Sequence, residues 1–158
     1  MNFGSFPLRS GVNSHCVILL VEDDENDAFF VRRTLAKLEF PGKVNHVWDA
    51  ESARHYLTGA KPFQDREQFP LPDLIITDSS LLERNSGVEF LEWVRQQLML
   101  ADVPLILYSG ALSPDQRERA EKAGVTAILT KGPDAAMMKE HMREILSHLP
   151  ASFREWLK

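Results

Sequence analysis

The chain has 158 residues, 44% of them apolar and 26% charged, which is enough to bury a core as one globular domain without disulfides or a structural metal. A formal net charge of −5, with no dense Lys/Arg run, argues against a nucleic-acid-binding surface. The single cysteine, Cys16, excludes an internal disulfide, and no secretory signal or bilayer-spanning run is visible, so a cytoplasmic protein is expected.

Residues 1–15 scatter Gly4, Pro7 and Gly11 among polar groups and read as a flexible arm ahead of a unit covering 16–149. Cys16 reads as a small core residue opening the apolar run Val17 to Val21. A run of that kind suits a strand buried on both faces. It stops at Glu22-Asp23-Asp24-Glu25-Asn26-Asp27, acids that suit the positive end of a helix dipole. The following helix places Ala28, Val31, Leu35 and Leu38 on one face, and Pro41-Gly42 stops it. A second strand is expected from Lys43 to Trp48. A short helix follows, with Ala53, Tyr56 and Leu57 at helical spacing, and Thr58-Gly59 closes it. Residues 60–72, rich in proline and charge, read as an exposed loop.

The third strand is Leu74 to Thr77 and delivers Asp78. After Asn85-Ser86-Gly87, a third helix carries Val88, Leu91, Val94, Arg95 and Leu98. The fourth strand is about Pro104 to Tyr108. The fourth helix starts at Ser113-Pro114, with the serine as N-cap and the proline at the first helical position, and ends at Ala123-Gly124. The fifth strand is Thr126 to Leu129, and the last helix runs from about Asp134 to His148. Pro150 then opens a short C-terminal extension, 150–158, in which Phe153, Trp156 and Leu157 fall at helical spacing. Five strands alternating with five helices predict an α/β fold: a doubly wound parallel sheet with helices on both faces.

In such sheets ligands bind beyond the carboxyl ends of the strands, where the winding reverses. If the first and third strands are neighbours, Glu22, Asp23 and Asp78 meet at that point. Two like charges about 4 Å apart cost roughly 4 kcal/mol at an effective dielectric near 20, so the cluster needs a cation or a proton. Oxygen ligands on loops suit Mg²⁺. Lys131 follows the fifth strand and Ser109 the fourth, and both point to the same rim. Together these groups predict a phosphoryl-transfer site with Asp78 as nucleophile, Lys131 and the metal neutralising charge, and Ser109 donating a hydrogen bond. Taken singly, a strand-end aspartate is a helix cap and a lysine a solvated surface group. The combination carries the reading.

Four segments resemble the response-regulator receiver family: Ile18-Leu19-Leu20-Val21-Glu22-Asp23-Asp24, Pro72 to Asp78, Val103 to Gly110, and Ala123 to Lys131. The resemblance implies a sheet of order 2-1-3-4-5, Asp78 as the phosphorylated aspartate, and Mg²⁺ held by Asp23 and Asp78, by Glu22 through water and by the Ser80 backbone carbonyl. It also implies Ser109 as the switch hydroxyl and Lys131 as the family's lysine. Residues 63–73 are similar to the long loop of small stand-alone receivers, including those paired with bacterial phytochromes. The chain departs from the family at four places. Leu82 replaces a proline, Gly87 comes one residue late, Ile128 replaces the aromatic switch residue, and Gly132 stands where a proline usually follows the lysine.

The expected function is therefore that of a single-domain response regulator, not an enzyme in its own right, phosphorylated by a histidine kinase or phosphotransfer protein. Few residues follow the last helix, so output is expected through protein contacts rather than DNA or membrane, a homodimer through the C-terminal half among them. A degenerate receiver that binds partners without phosphorylation is the main alternative. A haloacid-dehalogenase phosphatase places a second aspartate where Ser80 stands, and a flavodoxin-type binder needs a hydroxyl- and glycine-rich loop where Glu22 and Asp23 stand.

Overall fold

The computed structural model describes residues 16–154. The strands are β1 (Val17–Val21), β2 (Lys43–Val47), β3 (Leu74–Thr77), β4 (Leu105–Ser109) and β5 (Ala127–Thr130). The helices are α1 (Glu25–Lys37), α2 (Ala50–Thr58), α3 (Ser86–Gln96), α4 (Pro114–Ala123) and α5 (Ala135–Ser147). All strand pairs are parallel, in the order β2-β1-β3-β4-β5. This is the doubly wound α/β sheet expected from the alternation of elements.

Successive side chains of a strand face opposite sides, so each central strand feeds two cores. Leu19, Val21, Ile75, Leu105 and Leu107 pack with Phe90, Leu91 and Val94 on one side. Ile18, Leu20, Leu74, Ile76, Ile106 and Tyr108 pack with Val31, Leu35, Met142 and Ile145 on the other. Two faces of burial explain why β1, β3 and β4 are apolar without a break. Cys16 is buried at the edge of the second core.

The helices begin where their caps dictate. Asp24, Asp49 and Asp134 each accept a backbone N–H from the first turn of α1, α2 and α5. Ser113 and Gln116 form a reciprocal capping box on α4, with Pro114 in its first turn. Gly59 and Gly124 close α2 and α4 in the left-handed conformation that glycine adopts without strain.

Two expectations are corrected. Leu98 lies outside the third helix, in a 3-10 turn (Leu98–Leu100), and is 92% exposed; Phe90 takes the core position that the spacing assigned elsewhere. Residues 60–72 form a loop exposed at Lys61, Pro62, Gln64, Asp65, Glu67 and Gln68, as expected, but its apolar side is not solvated. Phe63, Phe69 and Leu71 pack on the first core, and the rings of Phe63 and Phe69 meet Tyr56 and each other. The Arg66 guanidinium donates to the carbonyls of Tyr56 (2.7 Å), Leu57 (2.9 Å) and Phe69 (3.1 Å), tying the end of α2 to the segment. At the C-terminal end, Phe153 packs on the second core, in a 3-10 turn (Ala151–Phe153). The expected arm, 1–15, and the tail residues Trp156 and Leu157 lie outside the described residues.

Arg66→Ala removes charge-assisted hydrogen bonds to three carbonyls and is expected to lower the unfolding free energy by about 1.5–3 kcal/mol in urea titration. A change within a few tenths would show the segment to be held by its aromatic rings alone.

Candidate functional site

Register builds the site. Val21 of β1 pairs with Thr77 of β3, so the next residues, Glu22 and Asp78, leave the sheet side by side. Ser109 pairs with Thr130 at the ends of β4 and β5, and the Lys131 N–H donates to the Ser109 carbonyl at 2.9 Å. From there the Lys131 side chain reaches back across the sheet edge. Its ammonium donates to Asp78 Oδ2 (2.8 Å), Glu22 Oε2 (2.8 Å) and Asp27 Oδ2 (2.9 Å), one carboxylate for each of its three protons.

Asp78 divides its oxygens. Oδ2 faces Lys131, while Oδ1 accepts the Ser79 N–H (2.6 Å) and the Ser109 hydroxyl (3.0 Å). Its side chain is 14% exposed, so the carboxylate is fixed yet reachable. Ser80, whose N–H is 3.4 Å from Asp78 Oδ1, is exposed on the loop. Asp23 Oδ2 accepts the Leu82 N–H at 3.1 Å, which joins the acids after β1 to the loop after β3.

That loop is tightly constrained. Leu82 and Asn85 have φ of 61° and 65°, in the sparsely populated left-handed region. Gly87 lies under the strand end: a Cβ there would stand 1.7 Å from the Asp78 carbonyl oxygen, so only glycine fits. The Asn85 side chain accepts from the Gln116 amide at 2.8 Å, linking this loop to the first turn of α4.

The electrostatics are set by burial against charge. Burial pushes the Glu22 carboxyl up to about 7, and the Lys131 contact pulls it down less than burial raises it. Burial alone would depress the Lys131 ammonium, but the charge and hydrogen bond of Asp78, with the hydrogen bonds to Glu22 and Asp27, hold it above the ordinary lysine value. The Glu22 backbone carbonyl is fixed in turn by His46 Nε2 at 2.8 Å.

The structure thus brings together Glu22, Asp78, Ser109 and Lys131, with Asp23 anchored beside them through the Leu82 amide. Two contributors are not among the residues the sequence singles out for the site. Asp27 reads there only as a dipole acid, although its place four residues after Asp23 puts it in the first turn of α1, at the rim. Ser79 hydrogen-bonds the Ser109 hydroxyl at 2.8 Å, and nothing in the sequence distinguishes it from an ordinary bend residue.

The donor set fits a hard divalent cation in chemistry: it is all oxygen, with carboxylates outnumbering the one lysine. Among the described residues, however, no three His, Cys, Asp or Glu side chains are gathered as a ligand shell. Lys131 draws Glu22 and Asp78 to itself, and Asp23 is turned to the Leu82 amide.

The family described as response regulator receiver domain matches residues 18–143. The chain is 26% identical over 129 residues to the probable methanogenesis regulatory protein FilR2 of Methanothrix harundinacea, covering 82% of this chain and 80% of that protein. The phosphorylated cyanobacterial phytochrome response regulator RcpA superposes with a TM-score of 0.77 at 24% identity, over 88% of this chain and 96% of that one. The Mn(2+)-bound form of the response regulator Rcp1 gives 0.74 at 25% identity, over 86% and 99%.

A carboxyl raised by folding keeps its stability contribution below its unfolded value, near 4.5, and loses it as pH rises through about 7. With metal chelated, the wild type is therefore expected to lose up to about 3 kcal/mol between pH 4.5 and pH 8 from this group, a loss that Glu22→Gln abolishes. Parallel stability profiles for the two proteins across that range would contradict the assignment.

Proposed function

The chain belongs to the response regulator receiver family, and from that premise we propose that Asp78 accepts a phosphoryl group from a histidine kinase or phosphotransfer protein, in a Mg²⁺-dependent reaction. Receivers are signalling proteins, and phosphoryl acceptance by an aspartate is general to the family. The observation that carries the proposal is the division of the Asp78 carboxylate between Lys131 on one oxygen and Ser109 on the other, at the open carboxyl edge of the sheet.

On this reading a carboxylate oxygen of Asp78 bonds to phosphorus as the bond from phosphorus to the donor imidazole nitrogen breaks, and the electron pair of that bond stays with the nitrogen. Lys131 meets negative charge on the transferring group, and the Ser109 hydroxyl donates to one of its oxygens. Asp23, Asp78 and the Ser80 carbonyl, with Glu22 behind them, would hold the cation, which supplies further charge neutralisation when bound. The Mn(2+)-bound form of Rcp1 supports a divalent ion in this setting.

The phosphorylated site would draw Ser109 and the loop after it inward, and α4 would repack. Ile128 packs against the first core in place of the family's aromatic switch residue, so this output runs without a ring flip. The proposed unit, 16–149, acts in the cytoplasm through protein contacts. No helix of the described residues is long and apolar enough to cross a membrane.

A degenerate, phosphorylation-independent binding module is the second reading. It is favoured by the commitment of Asp23 Oδ2 to the Leu82 amide in a loop with left-handed Leu82.

Acetyl phosphate with Mg²⁺ discriminates. The wild type is expected to gain one phosphoryl group, sensitive to hydroxylamine, by mass spectrometry, and Asp78→Asn none. An unmodified wild type would favour the binding module. Beryllofluoride with Mg²⁺ is expected to change amide exchange across residues 111–124 in the wild type and much less in Ser109→Ala. Unchanged protection in the wild type would remove the proposed switch.

A further inference from the structure

Beside Ser109 lies a second hydroxyl that the phosphoryl-transfer reading does not use. Ser79 is 1% exposed and Ser109 3% exposed. Their hydroxyls share one hydrogen bond of 2.8 Å. Ser109 Oγ also reaches Asp78 Oδ1 at 3.0 Å and the Ala111 carbonyl at 3.0 Å. Ser79 Oγ reaches the same two acceptors only at 3.3 Å and 3.5 Å.

Two hydroxyl protons therefore serve this cluster, and the distances order them. When Ser109 donates to Asp78 or Ala111, Ser79 donates to Ser109, and every proton has a good acceptor. If Ser109 turns away toward a phosphoryl oxygen, Ser79 keeps only its two long contacts, in a place water does not reach. A buried hydroxyl with poor partners is costly. That cost falls on the active conformation alone.

We infer that Ser79 is a positioning residue that acts through Ser109, restraining the switch hydroxyl in its resting orientation and so weakening the site's response to a phosphoryl group. The inference rests on the phosphoacceptor reading of Asp78. It assigns Ser79 no contact with the phosphoryl group. Loss of its hydroxyl should consequently favour the active form.

The test is calorimetric titration of the full-length protein with beryllofluoride in excess Mg²⁺. Ser79→Ala is expected to bind beryllofluoride tighter than the wild type by roughly five- to thirtyfold, the scale of one buried hydroxyl contact. The gain should vanish when Ser79→Ala is placed on a Ser109→Ala background, which a general packing effect would not do. Ser79→Gly carries the same comparison if the alanine variant does not fold. Equal or weaker binding by the Ser79 variant, or a gain that persists without the Ser109 hydroxyl, overturns the inference while leaving the phosphoacceptor intact. A wild type that binds no beryllofluoride removes both.

Discussion

The arrangement at the sheet edge depends on one ammonium group. Lys131 is 12% exposed, sits beyond the last strand, and gives a proton to each of three carboxylates drawn from β1, α1 and β3. Without it, Glu22, Asp27 and Asp78 would face one another with no cation between them, and removing one partner from a buried charge cluster costs more than the cluster contributes. The lysine does more than neutralise. The ladder between β1 and β3 already sets Glu22 beside Asp78, and the lysine adds Asp27, tying the start of α1 to the two strand ends. Burial, more than its acidic neighbour Asp78, raises the Glu22 carboxyl, and the Lys131 contact offsets only part of that rise. A site with surplus negative charge is suited to a dication, and the same surplus keeps Lys131 charged.

Much of this was legible in the sequence because the strands that deliver the site are buried on both faces. Val17–Val21 and Leu74–Thr77 needed no periodicity to be recognised, and their ends were fixed by the acids that follow. Gly59 and the Ser113-Pro114 pair marked their helix ends by chemistry that has few other uses. Exact limits were less clear: buried β4 and partly buried β5 both run one residue later than expected. The packing of residues 60–72 escaped because composition reports solvation, whereas Phe63, Phe69 and Arg66 turn back onto one another and onto Tyr56 and Leu57 of the preceding helix. Asp27 and Ser79 escaped for a related reason. A cap-region acid and a bend serine look alike whether or not another element brings a lysine or a hydroxyl to them.

The departures from the family pattern have structural counterparts. In the loop after β3, Leu82 and Asn85 adopt left-handed backbone, and Ser86 Oγ accepts the Leu81 N–H (2.8 Å) while facing the Leu81 carbonyl as donor (2.7 Å). These bonds lie beyond Ser79, and the first turn of α3 sets Gly87 against the Asp78 carbonyl. The strand end and the helix start therefore meet closely, and the left-handed residues lie in the tip between them.

The Asn85–Gln116 contact gives this loop a further consequence. Gln116 is buried and simultaneously closes the α4 capping box, so its amide group is committed at both ends. The first turn of α4 and the crest of the loop after β3 are in effect bolted together. The opposite end of α4 is held as well, because Arg95 of α3 donates to the Gly124 carbonyl at 3.0 Å. The helix is thus clasped at both ends by one continuous stretch of chain, from the crest of that loop through α3.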